Sequence, residues 1–571
     1  NLEIAFGDTK GAEEKDRIGR EHFRRLFGNL VASVKLAQMS KEEMRGRVEV
    51  EGEGDLRTLV GQDRGVVMVL GHFGNWELVA QFIPGILGVQ GGAIYQKLPN
   101  PLINDAVVKQ RASQGLRLFA KREGFMGALE LLRKGGSVGV LADQHAGDAG
   151  IWVSFFGRLA STTPLPATMA LRTGSLVLSI SMQTLEGGRW KLVVDAPINS
   201  EGKSVETLTV EINRLLENQI RKGPEDWLWS HNRWKTPRPK FLLTNQKRGL
   251  VAEGVTQKFR LVVRSTNWLG DAVMTVPAVR AMKRGRLDLE LTVIAPRKIA
   301  ELWKAIPEVD HVVDLPEGGI LEVAKVLREG NYDAAVVLPN SLRTGLEVWF
   351  AGIPRRVGYA GHWRAMLLNQ VVERQHQKRE TGGTIRHQVH DYLDLAVSIG
   401  AERLSEEEWM LPARKRRLSK GDVVRIGVCG GAEYGGAKRW MPERFAEVMV
   451  RVSGQYDVEW VLFGVEKDLE IGRAIEAGCG GVKVVNQIGK TSLSGLMDGL
   501  RGCDSLLTND TGTMHLAAML GVPVVAIFGS TEPDLTGPIG VGHVVFRKRV
   551  PCGPCFQREC TTDFACMRAV S

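Results

Sequence analysis

Short apolar runs closed by glycine or proline recur along this chain, and amphipathic stretches separate them. Gly65-Val-Val-Met-Val-Leu70 ends at Gly71. Leu261-Val-Val-Arg264, Ala334-Ala-Val-Val-Leu338, Arg425-Ile-Gly-Val-Cys429, Val458-Glu-Trp-Val-Leu-Phe463 and Val522-Pro-Val-Val-Ala-Ile-Phe528 follow the same plan. Runs of this length, with helical periodicity between them, imply parallel sheets covered by helices. Two composition breaks divide the pattern. Lys235 to Arg260 has Pro237, Pro239 and several basic residues, with Lys247-Arg248-Gly249 near its middle, and reads as a linker. Pro412-Ala-Arg-Lys-Arg-Arg-Leu-Ser-Lys420 reads as a solvated basic connection, with phosphate contact as the alternative. The expectation is an α/β protein with one lobe over 1–240, a basic linker over 241–258, and two further lobes over 259–415 and 416–571. Solenoid-type repeats are absent.

Length agrees with this division, since 571 residues is close to four domains of about 150. Hydrophobic residues at 43% and charged residues at 25% exclude a disordered or fibrous chain. The 75 Lys and Arg exceed the 65 Asp and Glu, for a formal charge of +10. That mild excess suits phosphorylated lipids, nucleotides or a membrane surface, and does not single out nucleic acid. Four of the 7 Cys crowd the end of the chain, while Cys429, Cys479 and Cys503 sit in apolar or Gly-rich surroundings as small buried hydrophobes. No secreted-type disulfide framework is visible, which points to a reducing compartment. No apolar stretch approaches the roughly 20 residues of a membrane span, and no signal peptide opens the chain. The chain begins at Asn1 and stops just after a Cys cluster, so it reads as a piece of a longer sequence.

The most informative word of the first lobe is Gly71-His72-Phe73-Gly74-Asn75-Trp76-Glu77. It follows a strand and opens a helix, which puts His72 at a strand's carboxyl end, where α/β proteins place ligands. Glu77 falls on the first helical turn and can fold back to the imidazole. A carboxylate on one ring nitrogen fixes the tautomer and raises basicity, leaving the other nitrogen to take a proton. The bland role of such a histidine is a structural hydrogen bond. The glutamate spacing and the Gly-rich turn favour the chemical role.

This segment resembles the His-x4-Asp/Glu motif of the lysophospholipid acyltransferase superfamily, and more closely the lipid A late acyltransferases of Gram-negative bacteria. Leu141-Ala-Asp143-Gln144, Phe155-Phe156-Gly157-Arg158-Leu-Ala-Ser-Thr162, Ala170-Leu-Arg172-Thr173-Gly174 and Pro224-Glu-Asp-Trp227-Leu-Trp229-Ser-His231-Asn-Arg233-Trp234 agree with it. The resemblance implies an acyl carrier protein thioester as donor and a 3-hydroxyacyl hydroxyl of a lipid A precursor as acceptor. It implies His72 as base oriented by Glu77, work at the cytoplasmic face of the inner membrane, and a hydrophobic segment ahead of Asn1. Asp143, Arg158 and Arg172 are candidate substrate contacts, with capping or ion pairing as their structural alternative. The Trp227–Trp234 cluster reads as packing of the lobe or of its membrane-facing edge. No Gly-x-Ser-x-Gly elbow offers a nucleophile.

After the first break, Phe259-Arg-Leu-Val-Val-Arg264-Ser265-Thr-Asn-Trp268-Leu-Gly270-Asp271 reads as a strand running into a loop and helix. Asp271 stands at that junction, where a helix cap is its structural alternative. In the last lobe, Cys429-Gly430-Gly431-Ala432-Glu433-Tyr434-Gly435-Gly436-Ala437-Lys438-Arg439-Trp440 follows another strand. Its N–H groups and Lys438 suit a phosphate. Thr508-Asn-Asp510-Thr511-Gly512-Thr513-Met514-His515 offers a second anion cradle at a helix N-terminus. Two cradles in one lobe suggest a nucleoside diphosphate. Gly489-Lys490-Thr491 lacks the upstream Gly of a P-loop, since Val484 stands there.

These words resemble the ADP-heptose:lipopolysaccharide heptosyltransferases, the heptosyltransferase II type in particular, over roughly residues 259–571. Leu338-Pro-Asn340-Ser341-Leu-Arg343, Arg355-Arg356-Val-Gly358-Tyr359, Phe463-Gly-Val-Glu466 and Phe528-Gly529-Ser530-Thr531-Glu-Pro533 match as well. The resemblance implies a two-lobed GT-B fold and ADP-heptose as donor. It makes Asp271 the catalytic base, Lys438 a diphosphate contact, Glu466 a ribose contact and Asp510 a heptose contact, with Thr511 and Gly512 along the phosphates. His515, beside the second cradle, is a further substrate-site candidate and the alternative base. No Asp-x-Asp triplet occurs, so no divalent clamp and no cofactor is expected. Arg264, Arg343, Arg355 and Arg356 suit acceptor phosphates or carboxylates, with surface solvation as the alternative. Cys552-x2-Cys555-x4-Cys560-x5-Cys566 has zinc-like spacing, against packed or redox-labile thiols.

The joint expectation is a bifunctional lipopolysaccharide enzyme acting on a lipid A–core glycolipid, with acyl carrier protein and the inner-membrane surface as partners and no nucleic acid. The alternative keeps only heptosyl transfer and makes the first lobe a membrane-docking or glycerolipid-acylating module.

Overall fold

The computed structural model describes residues 1–7, 9–36, 39–60, 64–88, 90–121, 125–147, 150–235, 242–243, 250–373, 385–410, 412–414 and 422–570. The chain forms two compact units, Asn1–Arg238 with Asn245–Lys258, and Pro239–Thr244 with Phe259–Ser571. Among the described residues no helix is long and apolar enough to cross a membrane.

The first unit is built on seven strands: β1 (Val48–Glu51), β2 (Val66–Gly74), β3 (Gly91–Tyr95), β4 (Arg117–Ala120), β5 (Ser137–Leu141), β8 (Leu176–Thr184) and β9 (Trp190–Val194). Their order is β1-β9-β8-β2-β5-β3-β4, parallel throughout except for the antiparallel β8–β9 pair. A separate antiparallel hairpin joins β6 (Ile151–Phe155) to β7 (Arg158–Thr162). Strand β2 explains its own apolar run. Val67, Val69 and Phe73 enter the core on one face of the sheet, while Val66, Met68 and Leu70 enter the core on the other. A strand covered on both faces needs apolar residues at every position, not at alternate ones. Gly74 ends the strand with φ +53°, and a Cβ there would lie 1.8 Å from the Met182 carbonyl oxygen. The chain therefore turns at Gly74 into the helix Trp76–Leu87, where the Asn75 side chain accepts the Leu78 N–H at 3.3 Å.

The second unit contains two all-parallel sheets. One runs β12 (His311–Asp314), β11 (Leu289–Ala295), β10 (Phe259–Arg264), β13 (Ala334–Val337), β14 (Arg355–Tyr359), β15 (Gln370–Val372). The other runs β18 (Val484–Asn486), β17 (Val458–Leu462), β16 (Val424–Cys429), β19 (Ser505–Asn509), β20 (Val524–Phe528), β21 (Val544–Arg547). Both have the doubly wound order 3-2-1-4-5-6, whose ligand crevice lies beyond the carboxyl ends of the two central strands. This is the mixed α/β, Rossmann-like architecture expected from the sequence.

The stretch read as a linker is divided between the units. Leu242 and Leu243 are buried in the second unit's core, and the Leu243 N–H donates to the Ile399 carbonyl at 2.8 Å. Val251 bonds the Trp152 carbonyl at 2.9 Å, and the N–H groups of Thr256 and Gln257 share the Gly157 carbonyl. Apolar residues within the basic stretch give it something to bury, so its described parts pack. Lys247-Arg248-Gly249 lies outside the described residues. Of the second basic segment, Pro412–Arg414 is described, and Arg414 donates its N–H to the Gly521 carbonyl at 2.8 Å. Residues 415–420 lie outside the described residues.

Candidate functional site

His72 lies within the last turn-ward residues of β2, half-buried, and its partner is not the expected one. Asp143, just beyond β5, accepts from His72 Nδ1 at 2.7 Å through Oδ1. Its Oδ2 accepts the His72 backbone N–H at 2.7 Å and Trp227 Nε1–H at 2.8 Å. Adjacent parallel strands β2 and β5 bring these ends together, since Leu70 pairs with Leu141. Burial alone would lower the imidazole, but the Asp143 carboxylate outweighs it, with help from Glu77, and holds His72 above its ordinary value. Burial alone would raise Asp143, and the charge and bonds of His72 and Trp227 hold it below the usual carboxylate range. The Nδ1 proton is thereby fixed, and Nε2 faces the Gln144 amide at 3.3 Å. Nε2 is the nitrogen available as a base.

Glu77 is on the first helical turn as expected, but it does not reach the imidazole. Its carboxylate binds Arg111 in a two-bond fork, 2.8 Å from Nε and 2.5 Å from Nη2. Arg111 opposes it from the helix Pro101–Ala112, and a guanidinium fork matches a carboxylate better than a single imidazole N–H does. Together Glu77 and Arg111 are the charged lining of an apolar cavity of about 670 Å³, counting the space at its open side. The cavity lies between the helix Trp76–Leu87 and the sheet, walled by Met68, Leu70, Ile83, Leu118 and Leu141, with Gly139 of β5 among its lining. Trp76, also in that lining, stands edge-on to His72 at a ring-centroid separation of 5.2 Å. His72 therefore sits one aromatic ring away from a space suited to a hydrocarbon chain.

Other expected residues are placed elsewhere. Arg172 closes the helix Leu165–Thr173 and lies over the Phe125 ring. Arg158 opens β7. The bonds around His72 come from neither. Trp227 and Trp234 are buried against Phe155, and Trp229 against Trp227 and Phe6, so they pack the lobe and not an exposed edge. Trp227 in addition holds Asp143, a task that motif reading missed. Also missed was Arg233, fully buried with its guanidinium on the Ser161 carbonyl and Thr162 hydroxyl, and pushed down to about 10 by burial. His231 accepts the His145 N–H at 3.0 Å on Nε2, and burial lowers it below its ordinary value. Nothing in spacing along the chain marks these contacts.

In the second unit, Asp271 lies in the first turn of the helix Leu269–Arg284 beyond β10, and Lys438 lies in the loop beyond β16. Lys438 Nζ is 2.5 Å from Asp510 Oδ2, and Thr531 Oγ1 donates to the same oxygen at 2.6 Å. Burial raises Asp271 above the usual carboxylate range; Lys438 opposes this and Asp510 adds to it. The two lobes meet where glycine permits it. A Cβ on Gly270 would come 2.9 Å from His515 Cδ2, and one on Gly512 would come 3.0 Å from Leu269 Cβ. This approach sets Asp271 beside the helix Gly512–Met519, whose N-terminal N–H groups have no intrahelical acceptor. Thr511 caps that helix, its Oγ1 accepting the Met514 N–H. His515 is buried and pushed down to about 4, so it is neutral near pH 7. Glu466 is exposed just past β17 and stands close to Gly489.

Two further expectations are corrected. The Gly436 and Ala437 N–H groups, expected to face phosphate, are taken by Glu559 Oε1 at 3.3 Å and the Arg558 carbonyl at 2.9 Å. Arg264 is buried on Glu347 at 3.0 Å, and Arg356 bonds the Leu367 and Ile353 carbonyls, so both serve the fold. Among the described residues no three Cys, His, Asp or Glu are arranged to hold a metal, and Cys552, Cys555, Cys560 and Cys566 are free thiols. Lys490 bonds the Asn486 carbonyl at 2.8 Å.

Comparison with known proteins gives two families. Residues 1–236 match the bacterial lipid A biosynthesis acyltransferases, and residues 320–565 match glycosyltransferase family 9 (heptosyltransferase). The chain is 33% identical over 306 residues to lipopolysaccharide heptosyltransferase 2 of Escherichia coli strain K12, covering 49% of this chain and 85% of that one. It is 26% identical over 239 residues to the lipid A biosynthesis palmitoleoyltransferase of the same strain, covering 41% of this chain and 77% of that one. Among solved structures, the E. coli ADP-heptose lipopolysaccharide heptosyltransferase II is similar at 31% identity and TM-score 0.44, covering 51% of this chain and 91% of that chain.

Proposed function

Because this chain belongs to glycosyltransferase family 9 through its second unit and carries a lipid A biosynthesis acyltransferase domain as its first, we propose two chemistries for one bifunctional enzyme of lipopolysaccharide biosynthesis. In the first unit, His72 Nε2 takes the proton of a hydroxyl on a lipid A precursor. The oxygen attacks the carbonyl of an acyl carrier protein thioester, and the thiolate leaves. Asp143 holds the Nδ1 proton and steadies the imidazolium that forms, as a buried carboxylate does for any such base. The apolar cavity beside Trp76 receives the acyl chain, and the Glu77–Arg111 pair keeps its charged side ordered.

In the second unit, Asp271 takes the proton of an acceptor heptose hydroxyl. The oxygen attacks the anomeric carbon from the face opposite ADP, inverting that centre. Lys438 and the N-terminus of the helix Gly512–Met519 stabilise the charge that grows on ADP, so no metal or other cofactor is required. Burial favours a base that is charged only at some cost and so accepts a proton readily. Fusion of the two activities raises the effective concentration of one on the glycolipid held by the other.

The inner-membrane surface, at its cytoplasmic face, is the proposed place of work. Phe23, Phe27, Val31 and Val34 are exposed on one stripe of the helix Ala12–Leu36, with Arg20 and Arg24 beside it. The observation that carries the whole reading is that each unit gathers a separate acid–base set at the carboxyl edge of its sheet, His72 with Asp143, and Asp271 with Lys438 and Asp510. The test is the full-length protein with acyl carrier protein thioesters, ADP-heptose and a lipid A–core acceptor, read by product mass. One acyl and one heptosyl increment are expected. A heptosyl increment alone, with every thioester tried, returns the first unit to a docking module.

A further inference from the structure

The Cys552–Cys566 segment has no task in the chemistry above, yet it lies across the loop that carries Lys438. The Phe556 N–H donates to the Ser530 carbonyl at 2.8 Å, and the Phe556 carbonyl accepts the Tyr434 hydroxyl at 2.7 Å. The next contacts are the Arg558 carbonyl on Ala437 and Glu559 on Gly436. Gly435 fits so closely that a Cβ would come 2.3 Å from the Arg558 carbonyl oxygen. Further on, the Val570 carbonyl accepts Trp440 Nε1–H at 3.2 Å, while the Trp440 N–H bonds Asn509, the neighbour of Asp510. Ser530 is likewise the neighbour of Thr531, which bonds Asp510. One strap thus ties together the loops around Lys438, Asp510 and Thr531.

The strap also brings a second cation to this place. The Lys438 ammonium is 4.7 Å from the Tyr434 ring centroid, and the Arg558 guanidinium is 5.4 Å from the same centroid. An aromatic ring attracts each cation, but two like charges beside one ring repel. Lys438 has Asp510 as a counter-ion, whereas Arg558 has no ion-pair partner among the described residues. An unpaired guanidinium, held by its own backbone against a loop whose other cation meets a diphosphate, has the chemistry to bind that diphosphate too. We propose that Arg558 is a further binding residue for the nucleoside diphosphate, presented to it by the Cys552–Cys566 strap. This rests on the reading of the second unit as an ADP-sugar site.

The experiment uses the full-length protein, with ADP affinity measured by calorimetry and adenosine affinity as the control for folding of the second unit. Arg558→Ala removes the cation and leaves the backbone carbonyl that holds Ala437. ADP affinity is expected to fall about tenfold, the lower end for a charge-assisted bond at an exposed side chain. Adenosine affinity should not change, Arg558→Lys should recover most of the loss, and the loss should shrink at high salt. Unchanged ADP affinity, or an equal loss for ADP and adenosine, overturns the inference, the second result marking a structural role. Lys438→Ala separates the two levels. If it weakens ADP binding while Arg558→Ala does not, only this inference falls. If Lys438→Ala leaves ADP affinity intact, the diphosphate site is elsewhere, and both fall.

Discussion

Asp143→Asn is the sharpest test of the first unit, because its outcome follows from which atoms need an acceptor. Asp143 Oδ2 receives two fixed donors, the His72 backbone N–H and Trp227 Nε1–H. An asparagine must keep its one oxygen there. Turning the amide over would set its NH2 against both donors and cost roughly 1–3 kcal/mol for each bond lost. The NH2 is then left facing His72 Nδ1, which must accept, and the imidazole proton moves to Nε2. The nitrogen that should take the substrate proton is now occupied. Escape from that tautomer costs at least about 2 kcal/mol, roughly a 30-fold loss of competent enzyme. Loss of the carboxylate's charge adds to it, so kcat for acyl transfer should drop by about 10²–10⁴. The pH profile moves as well. His72 works when neutral, and the Asp143 carboxylate, which raises its pKa, holds the acid limb above that of an ordinary imidazole. Without Asp143 the limb should shift to lower pH. The assay is steady-state acyl transfer against pH, with nitrogen resonances of labelled histidine reporting the tautomer. Glu77→Gln breaks the Arg111 fork but not the Nδ1 contact, so it should act mainly on KM. Near-normal turnover in Asp143→Asn, beside a hundredfold fall in kcat for Glu77→Gln, would refute the assignment of Asp143 as the orienting carboxylate.

Four further outcomes are expected. Gly139→Val should shorten the preferred acyl chain, because a Cβ there meets Leu70 Cδ1 only at 3.4 Å while the added methyls occupy the cavity. Each methylene displaced costs about 0.8 kcal/mol, near fourfold in kcat/KM, in a competition between thioesters of different length; a uniform loss at all lengths would count against the cavity as the chain site. Lys438→Ala should move the acid limb of heptosyl transfer to higher pH, since Lys438 lowers the pKa of Asp271 and the base must be ionised to act; a limb that stays put means Asp271 is not the titrating group. Heptosyl transfer should survive EDTA, and activity that stops and returns with Mg²⁺ would reveal a required metal. Phe23→Ser with Phe27→Ser should weaken sedimentation with anionic vesicles and leave heptosyl transfer to a soluble acceptor unchanged; equal sedimentation of both proteins would remove that stripe from the docking surface.

The layout of this protein is written in its apolar pattern. Continuous apolar runs such as Val66–Leu70 announce strands covered on both faces, because a doubly buried strand has no solvent side to alternate with. Gly-rich words after such runs mark where chemistry sits, since parallel sheets expose the carboxyl ends of their strands to the loops. The places of His72, Asp271, Lys438 and Asp510 at or past strand ends were legible in that way. What the sequence left open was pairing. Asp143 lies 71 positions from His72 and reaches it because β2 and β5 run side by side in register. Glu77, only a helical turn away, is drawn off by Arg111 from another helix. The Gly436 and Ala437 N–H groups, apt for phosphate in the primary structure, are filled by a segment more than a hundred residues later. Leu242 and Leu243, inside a basic stretch, find a core to enter. In each case hydrogen bonds and charges were settled by whichever partner the packing brought within reach, and spacing along the chain does not contain that distance.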